Sequence, residues 1–558
     1  MSVTPSITTQ DVARYRRPAA EVMRLARMGC GHPTRLSFLR VMLRRLRGAD
    51  WDIDRPVWKV DARGVGHGVY RVKSAGRTYS LVAFAHDLPP EMRSDRVIAT
   101  AWDATFTLFD GDPTDADIQR LAQNVPYQEA GRVTSKELTL ARANRSVRLF
   151  NHVVEALSQG RQPDAEEIRA VGYLMRTTAV YGSGKFGASD RIYIAERPEL
   201  AAPFQVEMLT VWLIRAFTVD IVEHIAAARG GTQAVTLDRA TRRSLGVGNS
   251  TGLGMAPFIV RHPVLLNNWI MAREEALARV RAQPAARAQA VSDLTRVLHL
   301  AKENAQIWHS EHPVQTAKLA ELRRDLSLIE DSLGSWDWTT DHPWDALWSW
   351  GAATLSLEGQ ETLLSLMLEP HGALVDELAD HMGADEAASF HINGAMTVAA
   401  LRQCLETDYR WALDIDFSTP ENVARFWYVS EEKLEPRLGE RATEEGATLE
   451  QPLCIARLIS ELYDTVKDYD ASQPVAALLL SHPEHRYAVR RAQIAQSHPY
   501  AEVRDNLIAA DMLPIDLLRC KLAFFGASQF DPRSDRWVRI NLFAGAPFPD
   551  EIKQEANV

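Results

Sequence analysis

Along the first 110 residues the spacing of apolar side chains changes from a helical to an extended period. Residues 11–28 place Val12, Tyr15, Ala19, Val22, Met23 and Ala26 on one helical stripe behind Asp11 as cap. A second helical pattern over 36–47 sets Leu36, Leu39, Val41, Leu43 and Leu46 among Arg35, Arg40, Arg44, Arg45 and Arg47. From residue 57 the chain turns to runs rich in Val, Tyr, Thr and Phe. These predict strands over 57–61, 68–73, 78–85 and 96–109, with Ser74-Ala75-Gly76-Arg77 as a hairpin turn.

Helical spacing then returns and dominates. It predicts helices over 113–124 and 134–157, and one from Asp164 running into Arg176. The 204–228 segment is apolar on every side, which marks a central buried helix. Glu207, Arg215, Asp220 and Glu223 interrupt it and therefore face solvent or belong to a polar site. Further helices are expected over 238–244, 264–281, up to 307, 313–333 and most of 358–525. Five tryptophans between Trp336 and Trp350 mark a boundary, and a turn and one strand in the tail can return to the N-terminal sheet. The pattern predicts an α+β fold, predominantly α-helical, with a small N-terminal antiparallel sheet and a large multi-helix body. Its expected divisions are 1–130, an α+β domain; 131–335, a helical domain; and 336–558, a C-terminal helical domain whose tail packs back on the N-terminal region.

Composition narrows the class. With 46% hydrophobic and 24% charged residues the chain is globular rather than disordered. A net charge of −10 over 558 residues argues against a whole-surface nucleic-acid binder. Cys30, Cys404, Cys454 and Cys520 form neither a C-x-x-C pair nor a disulfide framework, so a reducing, cytoplasmic setting is expected. No apolar run reaches the ~18 residues of a membrane span.

Two glycine-rich runs carry the candidate chemistry: Arg176 to Gly187, with Arg191 just beyond, and Ser244 to Met255. Glycine lets backbone approach a ligand closely, and successive N–H groups can cradle an anion. Arg176, Thr177, Ser183, Gly184, Arg191, Asn249, Ser250 and Thr251 are the candidate substrate-binding residues; Tyr181, Lys185 and His67 are the candidate catalytic ones. A lysine four residues from a tyrosine can lower the phenol's pKa and make it an acid or base. Gly182, Gly184 and Gly187 spell G-x-G-x-x-G, yet the run is expected at a helix C-terminal end, without the strand that a dinucleotide fingerprint needs.

Other chemistries find less. Gly64 to Val72 resembles the glycine-rich hairpin of a protein-kinase small lobe, but the next strand has Phe84 where that pattern wants lysine, and no catalytic-loop motif follows. There is no H-E-x-x-H. His309 with His312, His371 with His381, and His482 with His485 are metal-like pairs that lack a third ligand nearby, so no metal is assigned. The residues name no cofactor.

The leading reading is a cytoplasmic enzyme of unassigned reaction. Its substrate is a small carboxylate- or phosphate-bearing anion held by the two glycine-rich loops, and the protein is a homo-oligomer without a membrane partner. The alternative is a non-enzymatic protein that binds nucleic acid or another protein through the Arg35–Arg47 helix.

Overall fold

The computed structural model describes residues 9–48, 50–89, 91, 101–124, 134–181, 197–249, 262–310, 313–382, 390–419, 422, 427–429, 436–438, 451–452, 454–505, 520–531 and 539–554. Helices dominate them, and none is long and apolar enough to cross a membrane. The chain divides into two compact units. His32–Gly254, His299–Arg324 and Lys521–Val558 form a sheet-bearing unit; Met1–Gly31, Met255–Leu298 and Asp325–Cys520 form a helical one.

The sheet is large, not small, and this overturns the expected fold class. Seven strands come from the first half of the chain: β1 (Asp52–Val60), β2 (Gly66–Ser74), β3 (Arg77–Ala85), β4 (Ala104–Asp110), β5 (Glu137–Arg145), β6 (Tyr173–Tyr181) and β7 (Gly246–Asn249). In the helical unit, β8 (Trp427–Val429), β9 (Pro436–Leu438) and β10 (Gln451–Pro452) make a small separate sheet. The tail adds β11 (Gln529–Asp531) and β12 (Arg539–Leu542) to the main sheet. Among the described residues its order is β1-β2-β3-β4-β5-β6-β7-β12-β11, nine strands. Nor is the sheet purely antiparallel, because β6 and β7 run parallel.

Three of the first seven strands escape a sequence reading for physical reasons. Every residue from Glu137 to Asn144 is buried, so β5 lacks the in–out alternation of a half-exposed strand, and its Glu, Leu, Ala and Arg content favours helix. The expected 134–157 helix is thus β5 followed by the shorter helix Phe150–Ser158. The helix capped by Asp164 stops at Val171 because Gly172 takes a left-handed conformation, φ 76°, and the chain then extends as β6. β7 is half glycine, which hides it among turns. Its glycines answer to packing: a Cβ on Gly246 would lie 2.1 Å from Asn541 Oδ1, and one on Gly248 would lie 2.8 Å from the Tyr173 ring. Gly246→Ala is accordingly expected to push β12 off β7 and destabilise the protein by about 1–3 kcal/mol, read as a lower urea midpoint.

The β2–β3 hairpin turns through Ala75 at φ 50° and Gly76 at φ 78°, the two left-handed residues that match strand twist. Helix Gln205–Gly230 lies across one face of the sheet, with 19 of its 26 residues buried. Its Phe217 meets Trp58 of β1 and Phe106 of β4, and its Thr210 hydroxyl lies 2.8 Å from that of Thr139 on β5. The polar residues that interrupt it are largely paired. Arg215 donates to the carbonyls of Arg243, Leu245 and Ala546 and stacks on Phe548; Asp220 accepts from Tyr70; Glu223 accepts from the Leu237 amide. The opposite face of the sheet packs Val57, Val69, Val82, Phe84 and Leu140 against Ile118 and Leu121 of helix Asp115–Asn124.

In the helical unit the expected 11–28 helix is broken into Thr9–Tyr15, Ala19–Val22 and the 3-10 turn Leu25–Arg27, because Pro18 supplies no amide to continue the first of them. Helix Pro263–Arg281 packs on Pro343–Thr354 and Leu357–Leu368. Between them sits a buried charge network. Arg17 donates to Glu274 at 2.7 and 2.8 Å and to Glu361 at 2.8 and 3.3 Å, while Arg27 and Arg273 close on the same carboxylates. The tryptophans Trp336, Trp338, Trp344 and Trp350 pack ring on ring, with centroids 5.0 to 6.4 Å apart. A second core gathers around helices Val398–Asp408, Ala456–Val466 and Arg486–Ala495.

Candidate functional site

Each glycine-rich run contains strand residues, Arg176–Tyr181 closing β6 and Gly246–Asn249 forming β7 just after helix Arg239–Ser244, and the two strands are neighbours. In the parallel pairing of β6 with β7, Tyr173 faces Gly246, Arg176 faces Gly248 and Thr177 faces Asn249. The chain leaves β6 at Tyr181 and β7 at Asn249, so the two runs depart from the same, carboxyl end of this pair. In open sheets with parallel strands, the carboxyl ends are where backbone is free to meet a ligand.

Thr177 and Asn249, picked separately as binding residues, are joined. Asn249 Nδ2 donates to Thr177 Oγ1 at 2.8 Å, and Thr177 Oγ1 donates to the Gly248 carbonyl at 3.2 Å. Asn249 Oδ1 accepts from Lys521 Nζ at 3.1 Å. All three side chains are fully buried. Among the described residues no carboxylate answers the lysine, and burial alone pushes its amine down to about 7. An amine there changes charge near neutral pH, so it can hold an anion in one state and take up a proton in the other.

Lys521 is the residue that sequence reasoning missed. It opens helix Lys521–Phe525 within Cys520-Lys521-Leu522-Ala523-Phe524-Phe525, where one cation stands in an apolar run. That contrast was the available signal, since a charge held inside a core is rare without a purpose.

The other candidates are dispersed. Arg176 is buried and already engaged within the protein; adjacent to Thr177 on a strand, it points to the opposite face. His67 lies on β2, four strands from β6 and hence ~19 Å across the sheet. It faces Phe84 of β3, with its ring centroid 6.2 Å away, and its Nε2 has no hydrogen-bond partner among the described residues. Burial and the Lys59 charge hold its pKa below the ordinary histidine value, against the opposing pull of Asp115. Tyr181 closes β6. Ser183, Gly184, Lys185, Arg191, Ser250 and Thr251 lie outside the described residues. Of the histidine pairs, His371 is buried edge-on to Trp344 and burial pushes it down to about 4. His312 lies outside the described residues.

Comparison of the chain with family models, with curated proteins and with solved structures finds no match to any of them.

Proposed function

We propose that the protein is a cytoplasmic enzyme acting on a small carboxylate- or phosphate-bearing substrate bound beyond the carboxyl ends of β6 and β7. What carries this reading is one observation: among the described residues Lys521 is buried without a counter-charge, and Asn249 and Thr177 tie it to the strands from which both glycine-rich runs depart. A folded protein neutralises or pairs a buried cation unless a ligand supplies the missing charge. The glycine runs contribute backbone N–H donors, with Lys185 and Arg191 as further cations and Tyr181 as a proton-transfer group; these roles rest on the sequence. Lys521 adds a near-neutral amine that can act as acid, base or nucleophile.

The Arg35–Arg47 helix gives the rival nucleic-acid reading little to stand on. Phe38, Leu39, Val41, Met42, Leu43 and Leu46 bury its apolar stripe, and each of its five arginines already has a partner within the protein.

The test is native mass spectrometry of the freshly purified full-length chain, followed by thermal-shift titration with inorganic phosphate and with succinate. A co-purified anion, or a concentration-dependent rise in Tm that Asn249→Ala weakens about tenfold, supports the reading. Identical responses of wild type and Asn249→Ala to both probes overturn it.

A further inference from the structure

The helical unit holds a second cluster of chemistry, remote in sequence from the glycine-rich runs. His482-Pro483-Glu484-His485 forms a 3-10 turn between helices Val475–Ser481 and Arg486–Ala495. Pro483 occupies its first position, where the missing amide costs nothing and the fixed φ tightens the turn. The turn brings three side chains to one place. One ligand atom each from His482, Glu484 and His485 lies within 4.8 Å of the other two. This is the third ligand that the histidine pair lacked in the sequence reading.

We propose that His482, Glu484 and His485 form a binding site for a divalent transition-metal ion of the zinc class. Two imidazoles and a carboxylate make a borderline-soft, mixed nitrogen–oxygen set, which suits Zn2+ and not Mg2+ or Ca2+. His485 is the anchored member. It is buried, and Thr465 Oγ1 on the neighbouring helix Ala456–Val466 lies 2.8 Å from its Nε2. That contact commits Nε2 and fixes the ring, leaving Nδ1 for a cation, in the way outer hydrogen bonds orient metal-bound histidines. His482 is the adaptable member: half-exposed, with Nδ1 3.0 Å from Glu484 Oε1 and its ring edge-on to Tyr469. Glu484 is exposed and reaches the site from solvent. Three protein ligands leave a fourth position for water, so the ion exchanges with solvent rather than being sealed in.

The experiment is titration of the chelator-treated full-length protein with ZnCl2 by calorimetry, with native mass spectrometry of the same samples. The expected result is one Zn2+ per chain. Affinity should fall tenfold or more in His482→Ala and in Glu484→Gln, both surface substitutions that leave the fold's Tm unchanged without metal. MgCl2 at the same concentration should give no heat. A wild-type chain that takes up no stoichiometric Zn2+, or a His482→Ala/Glu484→Gln double variant that binds it as tightly as wild type, overturns the proposal.

Discussion

Glu361→Gln should destabilise the protein by about 3–5 kcal/mol, measured by urea unfolding at pH 7, because it breaks a buried ion network while leaving its cations in place. Arg17, Arg27 and Arg273 share two carboxylates, Glu274 and Glu361, and all five side chains are buried. Removing Glu361 leaves Arg17, Arg27 and Arg273 with Glu274 and the more distant, exposed Glu21, so that one guanidinium charge is uncompensated. The same network fixes the acid limb. Burial by itself would raise the Glu361 pKa, but Arg17 and Arg273 overcome it and hold the group at about 2, below the ordinary 4.5. A carboxylate with a depressed folded-state pKa contributes fully above the unfolded value and loses that contribution as pH falls toward the folded one. Wild type should therefore lose stability between pH 4.5 and 2 in a way that Glu361→Gln does not. A variant within 1 kcal/mol of wild type, with an unchanged acid limb, would count against the network as a source of stability.

Lys521→Met should abolish anion binding and turnover, and should do so without unfolding the sheet-bearing unit. The substitution keeps an unbranched side chain of similar length and removes a charge that burial already disfavours. Its second signature is thermodynamic. The folded-state pKa of about 7 lies below the ordinary lysine value of 10.5, so between these limits the unfolded chain holds a proton that the folded chain has released. The linkage relation then makes stability rise with pH across that window, by about 1.4 kcal/mol per pH unit for this one group. Subtracting the stability curve of Lys521→Met from that of wild type between pH 7 and 10 isolates the slope. A flat difference would mean that Lys521 stays charged, and retained anion binding in the variant would sink its assigned role.

How much of this was readable in the sequence differs from element to element. Strands β1 to β4 announce themselves because turn residues such as Ala75-Gly76 bound runs of Val, Tyr and Phe. β5 does not, because both its faces are covered and its composition suits a helix as well. Thr177 and Asn249 stand out individually as polar groups beside glycines, but their hydrogen bond depends on strand register, which local sequence does not encode. Arg17 and Glu361 are 344 residues apart, and nothing near either one foretells the other. Lys521 is the sharpest case. Its chemistry comes from burial, a property of the assembled fold and not of its neighbours in the chain.

The position of β12 beside β7 also sets an order of events on the ribosome. Gly248 pairs with Asn541, so β7 emerges long before its partner and waits as an open edge while Asp325–Cys520 is synthesised. An unpaired edge is a template for the wrong strand, in this chain or in a neighbouring one. β7 is a poor template: four residues long, two of them glycine, offering little side-chain surface for a stranger to grip. Gly246, which admits β12 so closely, and Gly248, which admits the Tyr173 ring, thus also guard the nascent chain while β7 waits for its partner, and a bulkier β7 would endanger biosynthesis before it ever strained the finished fold.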